Sequence, residues 1–337
     1  MLATPNALQW AGESGRYEVY YLTVTDPASG VGIWLRFSLL APQPGGGAAT
    51  AALWLLAMDP RAGRAPVFGR KHTFPIEALH AQADPFRLAI DTAVLTDHGT
   101  SGAFEDVEWE LRWQPGERAY EHVHSILRRA AIAKTVLVLP HADLEIDGTI
   151  RLAGERLALT GARGGQAHLW GSKHASSWAW VHCNDFFTAE GQPVPGAFVD
   201  GVSVRVPRAG REVGPNTPVV GRIDGRDFRS TSPLRVLTNP STFALTGWRF
   251  EAVDGARKLI GQVDAQRSEL AGVTYHDPDG EPAYCYNTEV ASMRLHVLER
   301  SRATGGWSHR TTLTAPGRTH FEYAQRSPVP GLELVTS

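Results

Sequence analysis

The sequence has little cysteine, no excess of basic charge and no long apolar run, and each shortage excludes a class of protein. Its 337 residues include 2 cysteines, Cys183 and Cys285, which excludes a disulfide-rich scaffold or a cysteine-rich zinc module and suits a reducing cytoplasm. The 33 basic and 35 acidic residues leave a formal net charge of −2, too little positive charge for a dedicated nucleic-acid-binding protein. We therefore expect a cytoplasmic protein with no nucleic-acid partner.

The apolar segments are also short. The longest, residues 48–58, is shorter than the roughly 20 residues that a membrane-spanning helix needs. The N-terminus has no basic region followed by an apolar run, so we expect neither a signal peptide nor stable insertion into a membrane. A chain of this length and ordinary composition predicts a globular protein of two domains.

Strand patterns separated by glycine and proline dominate the sequence. Residues 17–25 are rich in aromatic and β-branched side chains, and a second such run at 32–40 predicts a hairpin with the first. Another hairpin is predicted about Ala153 and Gly154, and residues 51–58 are a further strand candidate. Many short strands at spacings near ten residues are typical of sandwiches and barrels.

Helix patterns are sparse. Residues 117–134 contain neither glycine nor proline and carry apolar Ile126, Leu127 and Ile132, and residues 76–83 are a shorter candidate. A strand pattern ends at Gly164 and Gly165, just before the most unusual segment of the chain. We place a domain boundary there, which divides the chain into residues 1–165 and 166–337.

Residues 166–187 contain three tryptophans, three histidines and one asparagine. If residues 178–186 form a strand, its period of two collects large and polar side chains on one face. That face holds Trp178, Trp180, His182, Asn184 and Phe186. Aromatic rings mixed with a few fixed polar groups are typical of a ligand cavity. The alternative is an aromatic core strand whose histidine and asparagine are satisfied by backbone groups.

This block resembles the signature of the double-calycin superfamily, which includes tocopherol cyclases, carotenoid hydratases (hydroxyneurosporene synthases), AttH-like proteins and Diels–Alderase-type cyclases. Trp170-Gly171, Trp178, Trp180 and Asn184 match its WG…W-x-W-x-x-x-N pattern. Residues 17–21, 34–37 and 41–42 resemble its first hairpin, and residues 319–324 resemble a closing strand. The resemblance implies an all-β fold of two lipocalin-like (calycin) antiparallel β-barrels packed together, with a ligand cavity.

Members of this superfamily differ between cyclisation, hydration and non-catalytic roles, so the resemblance does not fix the reaction. Our leading hypothesis is a cofactor-independent cyclase, isomerase or hydratase. It would act on a hydrophobic polyene, terpenoid or polyketide-derived substrate by acid catalysis in an aromatic cavity. The alternative is a non-catalytic lipid- or pigment-binding protein, which needs the aromatic wall but no placed acid.

Three residues are candidates for the catalytic acid: His182, His174 and Glu289. Glu289 has the same strand parity as Ala291 and Met293, which puts a carboxyl group on an otherwise apolar face and favours its protonated form. The alternative is that Glu289 lies at the exposed end of its strand and pairs with an arginine. Glu322, between Phe321 and Tyr323, is a weaker candidate of the same kind.

The expected substrate-binding residues are Trp170, Lys173, Trp178, Trp180, Asn184, Phe186 and Tyr286. In this hypothesis the indole faces stabilise developing positive charge and Asn184 orients the polar end of the substrate. His168, His174 and His182 match no common metal-ligand spacing, and the acidic residues at 277–280 are typical of an ordinary turn. We therefore expect neither a metal nor a cofactor.

Overall fold

The computed structural model describes residues 4–60, 67–124, 128, 134–208, 211–301 and 304–336. Within these ranges the chain forms two twelve-stranded sheets, one after the other. Each sheet curls into a nearly closed barrel, and the two barrels pack against each other. The predicted all-β fold of two lipocalin-like barrels is confirmed. No helix in the described part of the chain is long and apolar enough to cross a membrane.

The first barrel contains twelve strands and one 3₁₀ turn, Ile76–Ala78, which joins β4 to β5. Its strands are β1 (Arg16–Thr25), β2 (Gly32–Ala41), β3 (Thr50–Met58), β4 (Val67–Pro75), β5 (Leu79–Ala83), β6 (Phe86–Ile90), β7 (Ala93–Thr96), β8 (Gly99–Phe104), β9 (Val107–Trp113), β10 (Tyr120–Glu121), β11 (Thr135–Leu152) and β12 (Glu155–Gly171). Their order around the barrel is β4-β3-β2-β1-β12-β11-β9-β8-β7-β6-β5, with β10 paired to β11. The turn between β4 and β5 therefore connects the two ends of the sheet.

The second barrel contains the remaining strands, a 3₁₀ turn at Arg267–Glu269 and one short helix, α1 (Pro233–Thr238). Its strands are β13 (Ser177–Cys183), β14 (Phe198–Arg208), β15 (Arg211–Asn216), β16 (Val219–Ile223), β17 (Arg226–Ser230), β18 (Ser241–Ala244), β19 (Gly247–Asp254), β20 (Arg257–Asp264), β21 (Ala271–His276), β22 (Pro282–Arg300), β23 (Trp307–Gln325) and β24 (Leu334–Thr336). Their order is β17-β16-β14-β13-β23-β22-β20-β19-β18, with β15 paired to β14 and β21 paired to β22 and β24.

Both predicted hairpins form. In the first, β1 and β2 pair antiparallel from Arg16 opposite Ala41 to Thr25 opposite Gly32. In the second, β11 and β12 are joined by Ala153 and Gly154, whose φ angles are +49° and +87°. A two-residue turn with both residues at positive φ has the twist that a β-hairpin needs, and glycine adopts such a φ without strain.

The helix predicted at residues 76–83 is wrong. After the 3₁₀ turn, residues 79–83 form β5, which pairs with β6 from Leu79 opposite Ile90 to Ala83 opposite Phe86. Hairpin pairing within the barrel outweighs the helix propensity of these alanine- and leucine-containing residues.

The helix predicted at residues 117–134 is wrong over its first part. Tyr120 and Glu121 form β10 and pair with Leu139 and Val138 of β11. The apolar residues on which the helix prediction rested, at positions 126, 127 and 132, lie outside the described residues.

The first sheet ends at Gly171 and the second begins at Ser177. The tryptophan- and histidine-rich block therefore contributes to both barrels, with Trp170 in β12 and Trp178 and Trp180 in β13. We propose that the two barrels are the two domains, and that the chain passes from one to the other within residues 172–176.

The barrels are joined through the outer faces of their sheets. In β3, alternate residues Ala51, Leu53 and Leu55 lie in the core of the first barrel. The residues between them face outward, and Trp54 and Leu56 belong to a second cluster that contains side chains of both barrels. This cluster includes Ala271, Val273, Tyr275, Ala283 and Cys285 from the second barrel. Strand β3 is therefore buried on both faces.

Gly32, at the start of β2, lies in tight contact with the second barrel. It faces the segment of β22 between Thr288 and Ala291, where the pairing register with β23 shifts. A Cβ added at Gly32 would lie 2.6 Å from the Cβ of Glu289, closer than such atoms can pack. Backbone atoms of Glu289 are also in the way, so a flexible side chain cannot relieve the overlap.

We expect Gly32→Ala to lower the free energy of unfolding by about 1–3 kcal/mol, the usual cost of overpacking a tight interior site. Urea denaturation of the purified variant measures this. Gly306→Ala is the control, because a Cβ there would meet only Thr304 Oγ1, at 3.5 Å. Equal stability of the Gly32→Ala variant and the wild type would contradict this close contact between the barrels.

Candidate functional site

A cavity of about 200 Å³ lies between the barrels. The outer face of β1–β4 forms one wall, and β21 with the segment before β13 forms the other. The lining residues most relevant to chemistry are Tyr17, Arg36, Trp54, Lys71, His174 and Tyr275. Thr73 and His276, at the rim, are exposed, so the cavity opens to solvent.

His174 is oriented by a carboxylate of the second barrel. Its Nδ1 lies 2.6 Å from Oδ1 of Asp277, and its backbone N–H donates to the same oxygen at 2.8 Å. Arg326 holds the other oxygen of Asp277, with Nη1 2.8 Å from Oδ2. Because a carboxylate accepts hydrogen bonds, the imidazole proton lies on Nδ1. Nε2 of the ring is left for the cavity that His174 lines.

The ring of His174 is clamped between aromatic side chains of both barrels. It stacks on Tyr17 at 4.3 Å between ring centroids, and on Trp178 and Tyr275 at 5.3 Å and 5.8 Å. Burial holds the pKa of His174 below its ordinary value, although the hydrogen bond and charge of Asp277 oppose this shift. His174 is therefore a fixed, neutral imidazole at neutral pH, which suits a general base.

Arg36 places a positive charge on the opposite wall. Its guanidinium carbon lies 4.2 Å from the ring centroid of Tyr275, 5.1 Å from that of Trp54 and 5.6 Å from that of Trp34. Contact with aromatic faces stabilises a buried cation. Lys71 adds a second positive charge beside it, with Nζ 4.4 Å from the ring centroid of Trp54.

Glu322 lies behind Tyr275, on β23. It accepts hydrogen bonds from Nε1 of Trp178 and from the hydroxyl of Tyr275, the latter at 3.3 Å. Burial raises the pKa of Glu322, although these hydrogen bonds oppose the shift. Burial also keeps the pKa of Tyr275 well above its ordinary value, so its hydroxyl retains the proton. The sequence suggested two glutamates as acids, Glu289 and, more weakly, Glu322. Of these, Glu322 is the one that lies next to the cavity wall.

His182 lies in a different buried cluster, between the barrels but outside the cavity lining. Its Nδ1 is 3.0 Å from Oδ2 of Asp200, and Nε2 of His122 is 2.9 Å from Oδ1 of the same carboxylate. Nε1 of Trp180 donates to Asp200 at 3.2 Å. Burial alone would raise the pKa of Asp200, but the two histidines outweigh it and hold the pKa low. In this cluster two imidazoles, one from each barrel, lie against a single buried carboxylate.

Glu289 is neither at an exposed strand end nor paired with an arginine. Its carboxylate bonds to Nδ1 of His320, and Nε2 of His320 lies 3.0 Å from the Thr25 hydroxyl of the first barrel. Ala291 and Met293 lie in the second barrel's core, whereas Glu289 faces the first barrel. The register shift between Thr288 and Ala291 breaks the parity from which its position was predicted.

Asn184 and Phe186 follow β13, which ends at Cys183 rather than at residue 186. Asn184 still faces the first barrel, and its Nδ2 donates to the carbonyl of Gly164 at 2.7 Å. Phe186 instead lies in the core of the second barrel, because the chain has left the regular strand. Neither residue lines the cavity.

The other expected binding residues also lie away from the cavity lining. Trp170 packs on His168 in the first barrel, at 4.7 Å between ring centroids. Lys173 pairs with surface carboxylates, and the buried hydroxyl of Tyr286 accepts a hydrogen bond from the backbone N–H of Val329 at 2.6 Å. Trp178 contacts the cavity indirectly, through His174 and Glu322.

Carboxylates of Asp277, Asp279 and Glu281 come close enough together to bracket a cation. Protein cations already neutralise them. Nζ of Lys173 lies 2.6 Å from both Asp279 and Glu281, and Arg326 pairs with Asp277 and Glu281. The cluster is explained by these ion pairs, and it forms the turn that positions Asp277 beside His174.

Six residues of the site were not predicted from the sequence: Tyr17, Arg36, Trp54, Lys71, Tyr275 and Asp277. A signal was present for Arg36, which shares strand parity with Trp34 and lies within an otherwise apolar run. Glu289 was selected because it is an ionisable residue on an otherwise apolar strand face, and Arg36 meets the same criterion. The convergence of β1–β4 with β21 depends on the packing of the barrels, which no local pattern reveals.

Comparison with known proteins gives relatives over most of the chain. Two Mycobacterium tuberculosis proteins, the uncharacterized proteins Rv0493c and MT0513 from two strains, are each 28% identical to it over 308 residues. The alignment covers 89% of this chain and 87% of each relative. No family model matches the sequence.

Solved structures share the whole fold at low sequence identity. An AttH protein of Nitrosomonas europaea is 13% identical, with a TM-score of 0.56 over 95% of this chain and 98% of that one. CghA is 9% identical, with a TM-score of 0.57 over 97% of this chain and 96% of its own. CghA has also been crystallised with Sch210972. This chain therefore has the same overall fold as these two proteins.

We expect nitrogen-detected NMR of labelled histidine to show His174 neutral at neutral pH, with the proton on Nδ1 and a pKa below the ordinary histidine value. Asp277→Asn should lower that pKa further, because the Asp277 carboxylate is the group that opposes the shift. Asp279→Asn is the matched control, since Asp279 pairs with Lys173 and not with His174. A doubly protonated His174 at neutral pH would refute the assignment.

Proposed function

We propose that this chain is a cofactor-independent cyclase, isomerase or hydratase that acts on a hydrophobic substrate in the cavity between the barrels. The observation that carries the proposal is the pair of His174 and Asp277 at the wall of an aromatic cavity. A protein that only binds an oily ligand needs apolar area and rings. It does not need a buried imidazole that a carboxylate fixes in one tautomer.

In this proposal His174 is the general base and Asp277 is its positioning residue. The lone pair on Nε2 takes a proton from the substrate or from an attacking water. Asp277 then stabilises the imidazolium that forms, and the ion pair with Arg326 keeps that carboxylate in place. The same imidazolium returns the proton in the second half of the reaction, so no cofactor is consumed.

Tyr275 is the proposed hydrogen-bond donor to the substrate. Its hydroxyl keeps its proton, and in the free protein it donates to Glu322 over a long 3.3 Å contact. A substrate carbonyl in the cavity is a competing acceptor for that proton. Glu322, which has a raised pKa, is a positioning residue that holds the Tyr275 hydroxyl ready.

The sign of the charge in the cavity argues against a carbocation mechanism. The guanidinium of Arg36 already occupies the region between the rings of Trp34, Trp54 and Tyr275, and Lys71 lies on Trp54. Positive charge developing on a substrate would be repelled there. The same field favours negative charge on a carbonyl oxygen. We therefore propose a substrate with a conjugated carbonyl, which is isomerised, cyclised or hydrated through an enolate-like state.

The reaction class can be tested before the substrate is identified. The purified protein is incubated with the hydrophobic metabolite fraction of cells that naturally make it, and products are analysed by liquid chromatography and mass spectrometry. Hydration adds the mass of one water, whereas cyclisation or isomerisation changes retention but not mass. Incorporation of deuterium from heavy water reports that a solvent-exchangeable group returns a proton to the substrate, the role proposed for His174. A ligand that only co-purifies unchanged would favour the lipid- or pigment-binding alternative.

We expect His174→Gln and Tyr275→Phe each to lower turnover by a factor of about 10² or more, the usual scale for loss of acid–base or hydrogen-bond catalysis. Binding should weaken much less, since the apolar contacts remain. The matched controls are His296→Gln and Tyr323→Phe, whose side chains bond to Thr312 and Gln325 outside the cavity. Wild-type rates in both cavity variants would contradict the proposed roles.

A further inference from the structure

Arg36 is a buried cation with no anionic partner. The residue is 7% exposed, and its Nε is buried without a hydrogen-bond partner. Among the residues that the structure describes, no carboxylate lies within ion-pair distance of its guanidinium. Glu322 interacts with Arg36 only through longer-range electrostatics, and its carboxyl group accepts hydrogen bonds from Trp178 and Tyr275 instead.

The buried carboxylates between the barrels make this exception clear, because each has a partner. Asp277 contacts Arg326 and His174, Asp200 contacts His182, and Glu289 contacts His320. A buried charge is stable when a partner of opposite sign offsets its loss of hydration. Contact with three aromatic rings offsets this loss only in part, so the position beside Arg36 favours an anion.

The described ionisable side chains that line the cavity are cationic or neutral, which leaves the cavity with an excess of positive charge. Lys71 faces Arg36 from β4, His174 and His276 face the cavity from the second barrel, and the ionisable groups of Tyr17 and Tyr275 are neutral phenols. No described residue lining the cavity is acidic. The pKa of Lys71 is lowered, mainly by burial and then by the charge of Arg36. The pKa of His276 is also lowered, mainly by burial and then by the charge of Lys71.

We propose that Arg36 and Lys71 bind the carboxylate of the substrate, so that the substrate is a hydrophobic organic acid. The inference rests on the proposed function only in taking this cavity as the substrate site. A guanidinium presents a planar fork that matches a carboxylate, and Lys71 adds a point charge beside it. The rings of Trp34, Trp54 and Tyr275 lie within 5.6 Å of the guanidinium carbon, and none of the described residues accepts a hydrogen bond from its N–H groups.

The size of the cavity fits a head group better than a whole ligand. Its volume of about 200 Å³ is below the ~300–1,000 Å³ that encloses a drug-sized molecule. The carboxylate and the adjoining carbons therefore lie between the barrels, and the apolar body extends through the exposed rim near Thr73. In this binding mode, the substrate carbons that adjoin the carboxylate lie beside His174.

The test compares dodecanoate with dodecanol, which have the same apolar chain and differ in head-group charge. Binding is followed by tryptophan fluorescence, since Trp34 and Trp54 contact Arg36. We expect the wild type to bind dodecanoate about 10- to 100-fold more tightly than dodecanol, the range for a charge-assisted hydrogen bond. Arg36→Met should remove this preference, and Lys71→Met should reduce it.

Arg205→Met is the matched control. Its guanidinium also lies over an aromatic ring, 4.2 Å from the centroid of Phe243, but outside the cavity. We expect this variant to keep the preference for dodecanoate. Thermal melting checks folding, and Arg36→Met should melt at or above the wild-type temperature, because it removes an unpaired buried charge. If that variant does not fold, Arg36→Lys should fold, keep the charge and bind dodecanoate less tightly than the wild type.

Equal binding of the acid and the alcohol by the wild type, or an undiminished preference in Arg36→Met, would overturn the inference. Competition by inorganic phosphate as strong as that by dodecanoate would overturn it as well, since the site would then select a small anion. Dodecanoate has no conjugated carbonyl, so these measurements do not depend on turnover. An acid preference in a protein without enzymatic activity would uphold Arg36 and Lys71 as the carboxylate site for a bound ligand, while refuting the proposed function.

Discussion

The two barrels can keep apolar outer faces only because each covers the other. The inner faces of β2 and β3 are used for the first barrel's own core, and their outer faces carry Trp34, Trp54 and Leu56. Large apolar side chains on an exposed sheet would favour aggregation, and the second barrel removes them from water. The burial of Tyr275 and Cys285 on the other side depends on the same contact. The cavity is a gap in this shared surface.

This contact also determines where ionisable groups can be placed. Removing a charge from water requires a partner, and in this interface the partners lie on neighbouring strands or on the opposite barrel. Asp200 brings His182 of β13 together with His122, which precedes β11 of the first barrel. Such contacts favour one relative position of the barrels, since a shift would leave the buried carboxylate without its partners. Arg36 differs from them, and its unpaired charge gives the cavity its positive potential.

Local patterns predicted the strands well, because hairpins depend on residues that are close in sequence. The turn at Ala153 and Gly154 is an example. The pattern failed where pairing between distant residues overrides local propensity, as in β5. For the site, parity identified Glu289 as a charge among apolar residues, but a register shift moves it to the other face of β22. His174 was identified from its aromatic neighbourhood, whereas its partner Asp277 was interpreted only as a turn residue.

The interior of the first barrel helps to explain why ligand space lies between the barrels. Large side chains such as Phe37 and Trp109 fill that interior and contact each other edge to face, at 6.3 Å between ring centroids. A ligand there would have to displace close-packed groups, which is costly. Between the barrels the two walls belong to separate sheets, so a gap can open without breaking either hydrogen-bonded ladder. A ligand that contacts Arg36 on one wall and His174 on the other also binds only the assembled pair. Its binding energy therefore stabilises the arrangement of barrels that positions the base.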